Sequence, residues 1–468
     1  MTKDLHNKIE GTQKAKSRKA QKPKAPVAES AARPDATIKK ITLPSSLPNC
    51  LEEHARCFFL SNYVVDDVAY TSHYDCLPRL QSRNSKEDVA LSQIIYGLGL
   101  LGLSNAKQNP ELATLSYARY VSAIRLVNAA LRDPSKVKSD ETLVSVLLLS
   151  LYENTASLRP DCLRSWIIHT DGATALLELR GKSQVESEVG RHLLRALIIQ
   201  NVICSMQRRK PIPKIILELN RRAYSYGTYL MDFGDSLIDI AARFCDLRAN
   251  LSRISPLETI ATAVTIDLEC EAWLGGRPAK YHYNVVQTAE LEKPFADSYH
   301  VYPDIRIASF WNSYRSFRIL LHGIILKALE DVSEVSPHGS HTPERFPQAF
   351  SNPSSVSDQA MRSKKITLKL AADICHSVLY CMCDVTFSDQ RPPPKALAGG
   401  LLIWPLYTVG EVRFLPLSER DWVIEKLERI ATETGIQQAL KFGQLLRKGR
   451  DVVEIVDDAT SGVGTEEW

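Results

Sequence analysis

Residues 89–106 read VALSQIIYGLGLLGLSNA, and the fold class turns on what its glycines do. As a string, Gly97-x-Gly99-x-x-Gly102 matches the phosphate-binding turn of dinucleotide-binding α/β domains. That turn needs a preceding strand, a helix opening at the glycines, and an acidic residue about 20 positions later to hold a ribose. Here an apolar, helix-like run precedes the glycines, and residues 115–130 contain neither Asp nor Glu. The stretch is therefore expected to be buried and helical, as a pair of core helices, and no cofactor is expected. Its length meets the requirement for a membrane span. Ser92, Gln93, Ser104, Asn105 and the three glycines make it a poor spanning helix.

Outward from this stretch the pattern stays helical. Residues 50–64 form an apolar-rich first segment. After Pro110, the residues Leu112, Leu115, Tyr117, Tyr120, Val121, Ile124 and Val127 recur at three- and four-residue spacing, and the pattern stops before Asp133-Pro134. Ser139, Asp140 and Glu141 supply capping and negative groups ahead of ETLVSVLLLSLYE. Segment 165–180 ends at Gly181, a natural helix stop. The stripe Phe310, Tyr314, Phe317, Leu321, Ile324 and Ala328 predicts a further helix, and Ile366, Leu370, Ile374, Val378 and Cys381 predict another. Ser418 with Asp421 resembles a capping box ahead of Trp422, Val423, Leu427 and Ile430. Strand alternation is scarce. Loops are expected over 331–360 and 388–395, where prolines collect. The fold class is all-α.

The 468 residues are 44% hydrophobic, enough for a large core, which excludes a wholly disordered chain. The net charge of +4 hides a split. Residues 1–40 hold eleven Lys/Arg against four Asp/Glu, and residues 451–468 hold six acidic residues and no basic one. Residues 1–49 also lack Phe, Trp, Tyr and Cys. With little to bury, they are expected to form a disordered basic arm, followed by a helical domain over 50–450 and a short acidic tail over 451–468. No secretory signal is visible at the start. Ten cysteines scattered through apolar segments point to small core residues in a reduced compartment rather than to bridges.

No Walker A loop, Gly-x-Ser-x-Gly elbow or His-Glu-x-x-His helix occurs. Cys375, His376, Cys381 and Cys383 cluster within nine residues, but they fall on or beside an apolar helix face with no second Cys pair to complete a tetrahedral set. His338 and His341 sit in a Ser/Pro-rich loop without a companion carboxylate. No catalytic, metal or cofactor residue is expected, and the chain is not read as an enzyme. The remaining chemistry is the basic run Lys14, Lys16, Arg18, Lys19, Lys22 and Lys24. Such a run can serve nuclear import or phosphate contact, or it can simply be solvated. It cannot read bases alone.

The segment Trp166-Ile-Ile-His169-Thr-Asp-Gly172-Ala173-Thr-Ala-Leu176-Leu177-Glu-Leu-Arg180-Gly181 resembles a signature of the fungal-specific transcription factor domain, the helical regulatory region of zinc binuclear cluster regulators. On a helix, Trp166, His169, Ala173 and Leu176/Leu177 share one face. Gly172 and Ala173 would admit a close neighbour, Arg180-Gly181 would close the turn, and His169 is expected to be a hydrogen-bonded structural residue. Leu77-Pro78-Arg79-Leu80, the helices 117–131 and 141–153, Trp311-Asn312-Ser-Tyr314-Arg315-Ser-Phe-Arg318-Ile319, Asp373–Val378 and Trp422–Ala439 resemble the same family in order, over roughly 50–447.

The resemblance implies a nuclear regulator of transcription, often of a metabolic or secondary-metabolite gene set. Such a regulator works with DNA-bound regulators or coregulators as partners, as a homo- or heterodimer, and with no membrane role. Family members that bind DNA carry six cysteines with two Cys-x-x-Cys pairs, holding two zinc ions. This sequence contains no Cys-x-x-Cys pair, so contact with DNA is expected to be indirect or non-specific. The alternative is an accessory or small-molecule-binding protein that reuses the helical domain.

Overall fold

Helix α1 (Asn49–Tyr63) and helix α2 (Val89–Lys107) meet at a distance that only glycine permits. A Cβ on Gly99 would lie 1.9 Å from the Ala55 carbonyl oxygen, and one on Gly102 would lie 2.3 Å from the Phe58 ring. The glycine string is thus a helix-packing surface, and α2 is one unbroken helix where a pair was expected. The helix tolerates its glycines because the neighbouring backbone fills the space their missing side chains leave. Asp88 caps its start by accepting from Leu91 N–H (2.9 Å). Gln108, at φ 50°, closes it.

The structure, a computed structural model, describes residues 49–64, 74–78, 80, 88–156, 162–226, 237–288, 295, 297–335, 353–384 and 395–449, all within the compact unit Pro48–Trp468. Helix α3 (Pro110–Arg132) follows, with Asn109 as its cap and Pro110 in its first turn, the position where a missing N–H costs nothing. Helix α4 (Asp140–Ala156) is almost wholly buried, and Ser139 Oγ accepts from Thr142 N–H (3.1 Å) at its start. Helix α5 (Cys162–Arg180) stops at Gly181, whose φ of +55° is left-handed. Then come α6 (Glu188–Arg208), α7 (Lys214–Tyr224), α8 (Leu237–Asn250) and α9 (Pro256–Gly275).

Two short strands, β1 (Asn284–Gln287) and β2 (Ser298–Val301), pair antiparallel. The 31-residue helix α10 (Ile305–Val335) packs on α9, on α11 (Pro353–Cys375) and on α13 (Lys395–Gly410). A single turn, α12 (Val378–Cys381), sits between α11 and α13. Helices α14 (Leu417–Thr434) and α15 (Gln437–Lys448) close the array. Asn105 Nδ2, at the end of α2, donates to the Gly435 carbonyl (2.6 Å), which ties the first helices to the last.

Four expectations need correction. Helices α10 and α11 reach into both ends of the expected 331–360 loop. Helix α13 begins at Lys395, inside the expected 388–395 loop. Ser418 lies inside α14 and makes no cap; the Pro416 carbonyl accepts from Glu419 and Arg420 N–H instead (3.1 and 3.0 Å). The stripe from Ile366 to Cys381 is two helices, because the chain kinks at His376–Ser377. There Ser377 N–H bonds to Ile374 O, and the His376 carbonyl accepts from His300 N–H of β2 (2.9 Å).

Cys57, Cys76, Cys204, Cys245, Cys270, Cys375, Cys381 and Cys383 are free thiols, six of them buried. Burial pushes the thiols of Cys245, Cys270 and Cys381 up to about 12, so they stay protonated core residues. Residues 1–48 and 450–468, with the expected arm and tail, and His338 and His341 lie outside the described residues.

Gly99→Ala forces the α2 backbone away from Ala55 and is expected to destabilise the protein by about 1–3 kcal/mol. Gly172→Ala, on an exposed part of α5 where a new Cβ meets nothing within 4 Å, is expected to raise stability by up to about 1 kcal/mol. Thermal or urea unfolding of the two variants checks both signs.

Candidate functional site

The signature residues lie on α5 as a packing face. Trp166, Ala173, Leu176, Leu177 and Arg180 are buried. Thr174 hydroxyl reaches Asn201 of α6 (3.1 Å), and Arg180 donates to the Lys138 carbonyl (2.7 Å) and to Asp140. Gly172 faces solvent, with nothing within 4 Å of a Cβ placed on it, so it makes no close helix contact, while Ala173 is buried. His169 is half-buried, and among the described residues its ring has no hydrogen-bond partner, against the expectation of a bonded histidine. Burial lowers its pKa to about 4.

The second resemblance string, on α10, accounts for most of the buried polar chemistry. Trp311 Nε1–H donates to the Tyr281 carbonyl (2.8 Å), and Asn312 Nδ2 donates to Ser377 Oγ at the kink (2.8 Å). Tyr314 hydroxyl donates to the Cys270 carbonyl of α9 (3.3 Å). Arg315 is 1% exposed and donates to Tyr302 Oη (2.6 Å) and Asn312 Oδ1 (3.0 Å). Among the described residues no carboxylate lies within ion-pair distance of it. Its guanidinium instead faces the rings of Tyr283, Trp311 and Tyr302 at 5.1, 5.2 and 5.9 Å, a cation–π cage. Arg318, one turn on, takes the paired solution: it grips both oxygens of Asp267 (2.6 and 2.9 Å) and reaches Glu271 (2.9 Å).

Beside that pair sits a string that resembles a hydrolase triad. Ser363 Oγ lies 3.1 Å from His322 Nδ1, and His322 Nε2 lies 3.3 Å from Asp267 Oδ1. A nucleophile must meet a substrate. Ser363 is 0% exposed, His322 1% and Asp267 5%, so no face of the serine reaches solvent. Both Asp267 oxygens are also engaged by Arg318. Burial raises the Asp267 carboxyl, but its bonds to His322 and Arg318 prevail and hold it at about 2. The group is a buried brace between α9, α10 and α11.

A third cluster lies where the hairpin meets the kink. One ligand atom each from His300, Asp373 and His376 falls within 4.8 Å of the other two. His300 Nε2 is 4.0 Å from Asp373 Oδ1, and His376 Nε2 is 3.4 Å from Asp297 Oδ1. On its other side, His300 Nδ1 faces Tyr302 Oη (3.1 Å) and Arg315 Nη2 (3.4 Å). Burial, then Arg315 and His376, lower the His300 pKa to about 3, so its imidazole is neutral. Sequence reasoning grouped His376 with its local cysteines. Its neighbour in space is His300, 76 residues earlier, and no local spacing signals that contact. Among the described residues, His300, Asp373 and His376 are the group that could hold a metal.

Two outcomes are expected. Asp267→Ala strands Arg318 in the core with only Glu271 as counter-charge and should cost about 3–5 kcal/mol in urea unfolding. Because His169 resists protonation in the fold but accepts a proton near its ordinary 6.5 when unfolded, stability should fall as pH drops from 6.5 to about 4. His169→Gln should flatten that part of the stability-against-pH curve.

Compared with known proteins, residues 64–236 match the family model described as the fungal specific transcription factor domain. No curated protein and no solved structure matches the chain. The matched span runs from the residue after α1 to the residue before α8 and contains both the α2 glycines and the signature helix; the α10 string lies downstream of it. Over residues 64–236, a little more than a third of the chain, the protein is similar to the fungal specific transcription factor domain.

Proposed function

We propose that the protein regulates transcription in the nucleus, through its helical domain, on a metabolic or secondary-metabolite gene set. The observation that carries the reading is the similarity to the transcription factor domain over 64–236. The chemistry of the described residues agrees with a regulatory rather than catalytic role. The Ser363–His322–Asp267 string is sealed from solvent, and the signature residues of α5 are used in packing.

On this reading Lys14, Lys16, Arg18, Lys19, Lys22 and Lys24 serve nuclear entry and add phosphate contacts that carry no sequence information. DNA specificity comes from a DNA-bound partner, held by the helical domain as a homo- or heterodimer.

Fluorescently tagged full-length protein should be nuclear and associate with chromatin. Replacing the six basic residues with alanine should shift it to the cytosol. In vitro, their contribution to DNA binding should fall with salt, with a log–log slope reaching about −5 if all six engage phosphates. Uniform cytosolic protein combined with unchanged transcripts on gene deletion overturns the proposal, and favours an accessory or small-molecule-binding role for the same domain.

A further inference from the structure

The cluster at the hairpin and kink is assembled by backbone as well as side chains. His300 N–H donates to the His376 carbonyl (2.9 Å), which sets the two imidazoles side by side with ring centroids 5.4 Å apart. Asp373 lies one helical turn before His376, and Asp297 lies just before β2. Donor atoms of three groups, His300, Asp373 and His376, therefore lie within 4.8 Å of one another, and Asp297 stands beside His376.

The protein leaves part of this cluster unsatisfied. His376 Nε2 is buried and makes no well-formed hydrogen bond, its ion-pair contact being Asp297 Oδ1 at 3.4 Å. The Asp373 carboxylate accepts none among the described residues, His300 standing 4.0 Å away. A buried polar group left without a partner is costly and calls for an explanation such as a bound ion. We propose that His300 Nε2, His376 Nε2 and Asp373 form a binding site for one divalent first-row transition-metal ion of the zinc type, with the fourth position taken by water.

The donor set fits that chemistry. Two imidazoles and one carboxylate, with a fourth position open to water, suit Zn²⁺ or Co²⁺, whereas Mg²⁺ and Ca²⁺ prefer all-oxygen cages. Metal–ligand bonds of about 2.0–2.1 Å put tetrahedral donors roughly 3.3 Å apart. The three donor atoms, mutually within 4.8 Å, need to draw together to reach this. The 4.0 Å between His300 and Asp373 closes with a small side-chain rotation.

Ligation through His300 Nε2 requires the proton on Nδ1, where Tyr302 Oη can accept it (3.1 Å), provided the Arg315 donor 3.4 Å from Nδ1 turns to its bond with Tyr302 (2.6 Å). That is the outer-shell arrangement metal-binding histidines use. An ion can enter from solvent, since the Asp297 side chain is 80% exposed and that of Asp373 22%. Once bound, it would clip the hairpin to the end of α11.

The test uses the full chain, purified metal-free. Titration with Zn²⁺ against a chromophoric chelator should give one ion per chain. Co²⁺ should give a visible spectrum of nitrogen and oxygen coordination without a thiolate charge-transfer band. Asp373→Asn with His376→Gln should abolish binding while leaving the far-ultraviolet circular dichroism of the metal-free protein unchanged. Should that variant unfold, Asp373→Asn alone, at a partly exposed residue, should still weaken binding. Tyr302→Phe should weaken it by roughly 10–100-fold. Absence of binding, a thiolate band, or binding unchanged in the Asp373 variants overturns the proposal.

Discussion

A guanidinium with no carboxylate in ion-pair reach among the described residues sets the constraint around which the second half of this protein is arranged. Removing an arginine from water costs several kcal/mol unless its charge and its donors are accommodated. Arg315, at 1% exposure, is accommodated by three aromatic faces and by the oxygens of Tyr302 and Asn312. Tyr283 precedes β1 by one residue and Tyr302 follows β2 by one residue. The hairpin therefore exists in an otherwise helical body to deliver two of those rings. The same hairpin carries His300, and the same helix sends Asn312 to the kink at Ser377.

Arg318 shows the other way to bury the same group, one helical turn away. Its charge is met by Asp267 and Glu271, and His322 and Ser363 extend the network into α11. Paired and caged arginines on one helix face give α10 distinct partners in α9, the hairpin and the α11–α12 junction. Nonpolar packing alone would leave the rotation of a 31-residue helix loosely specified; directional bonds fix it.

Much of the fold was legible because its helices carry their own punctuation. Pro110, Ser139 and Gly181 mark starts and stops that the chain uses, and the stripe of α10 is a core face, whereas in α3 only Tyr120 and Val127 of the stripe are buried and Leu115 and Tyr117 are exposed. What escaped reading depends on contacts distant in sequence. The kink after Cys375 needs His300 to bond the His376 carbonyl, and the apolar stripe runs on through it without a signal. The hairpin is four residues a strand, too short for alternation to register. The family resemblance was visible in the order of Trp166, His169, Ala173 and Leu176 along one face. The neighbours of His376 were not, since histidine and aspartate 3 to 76 residues away look alike until the chain folds.

The contact between Gly99 and the Ala55 carbonyl bears on how genetic data for this chain should be read. A screen that recovered inactivating changes at Gly97, Gly99 and Gly102 would show the outline of a nucleotide site, with intolerance at each glycine of the string. The cause at Gly99 and Gly102 would be steric exclusion between two helices, felt as lower protein abundance rather than as lost ligand. Mutational sensitivity at a motif measures what the backbone beside it can accommodate, and here that neighbour is another helix.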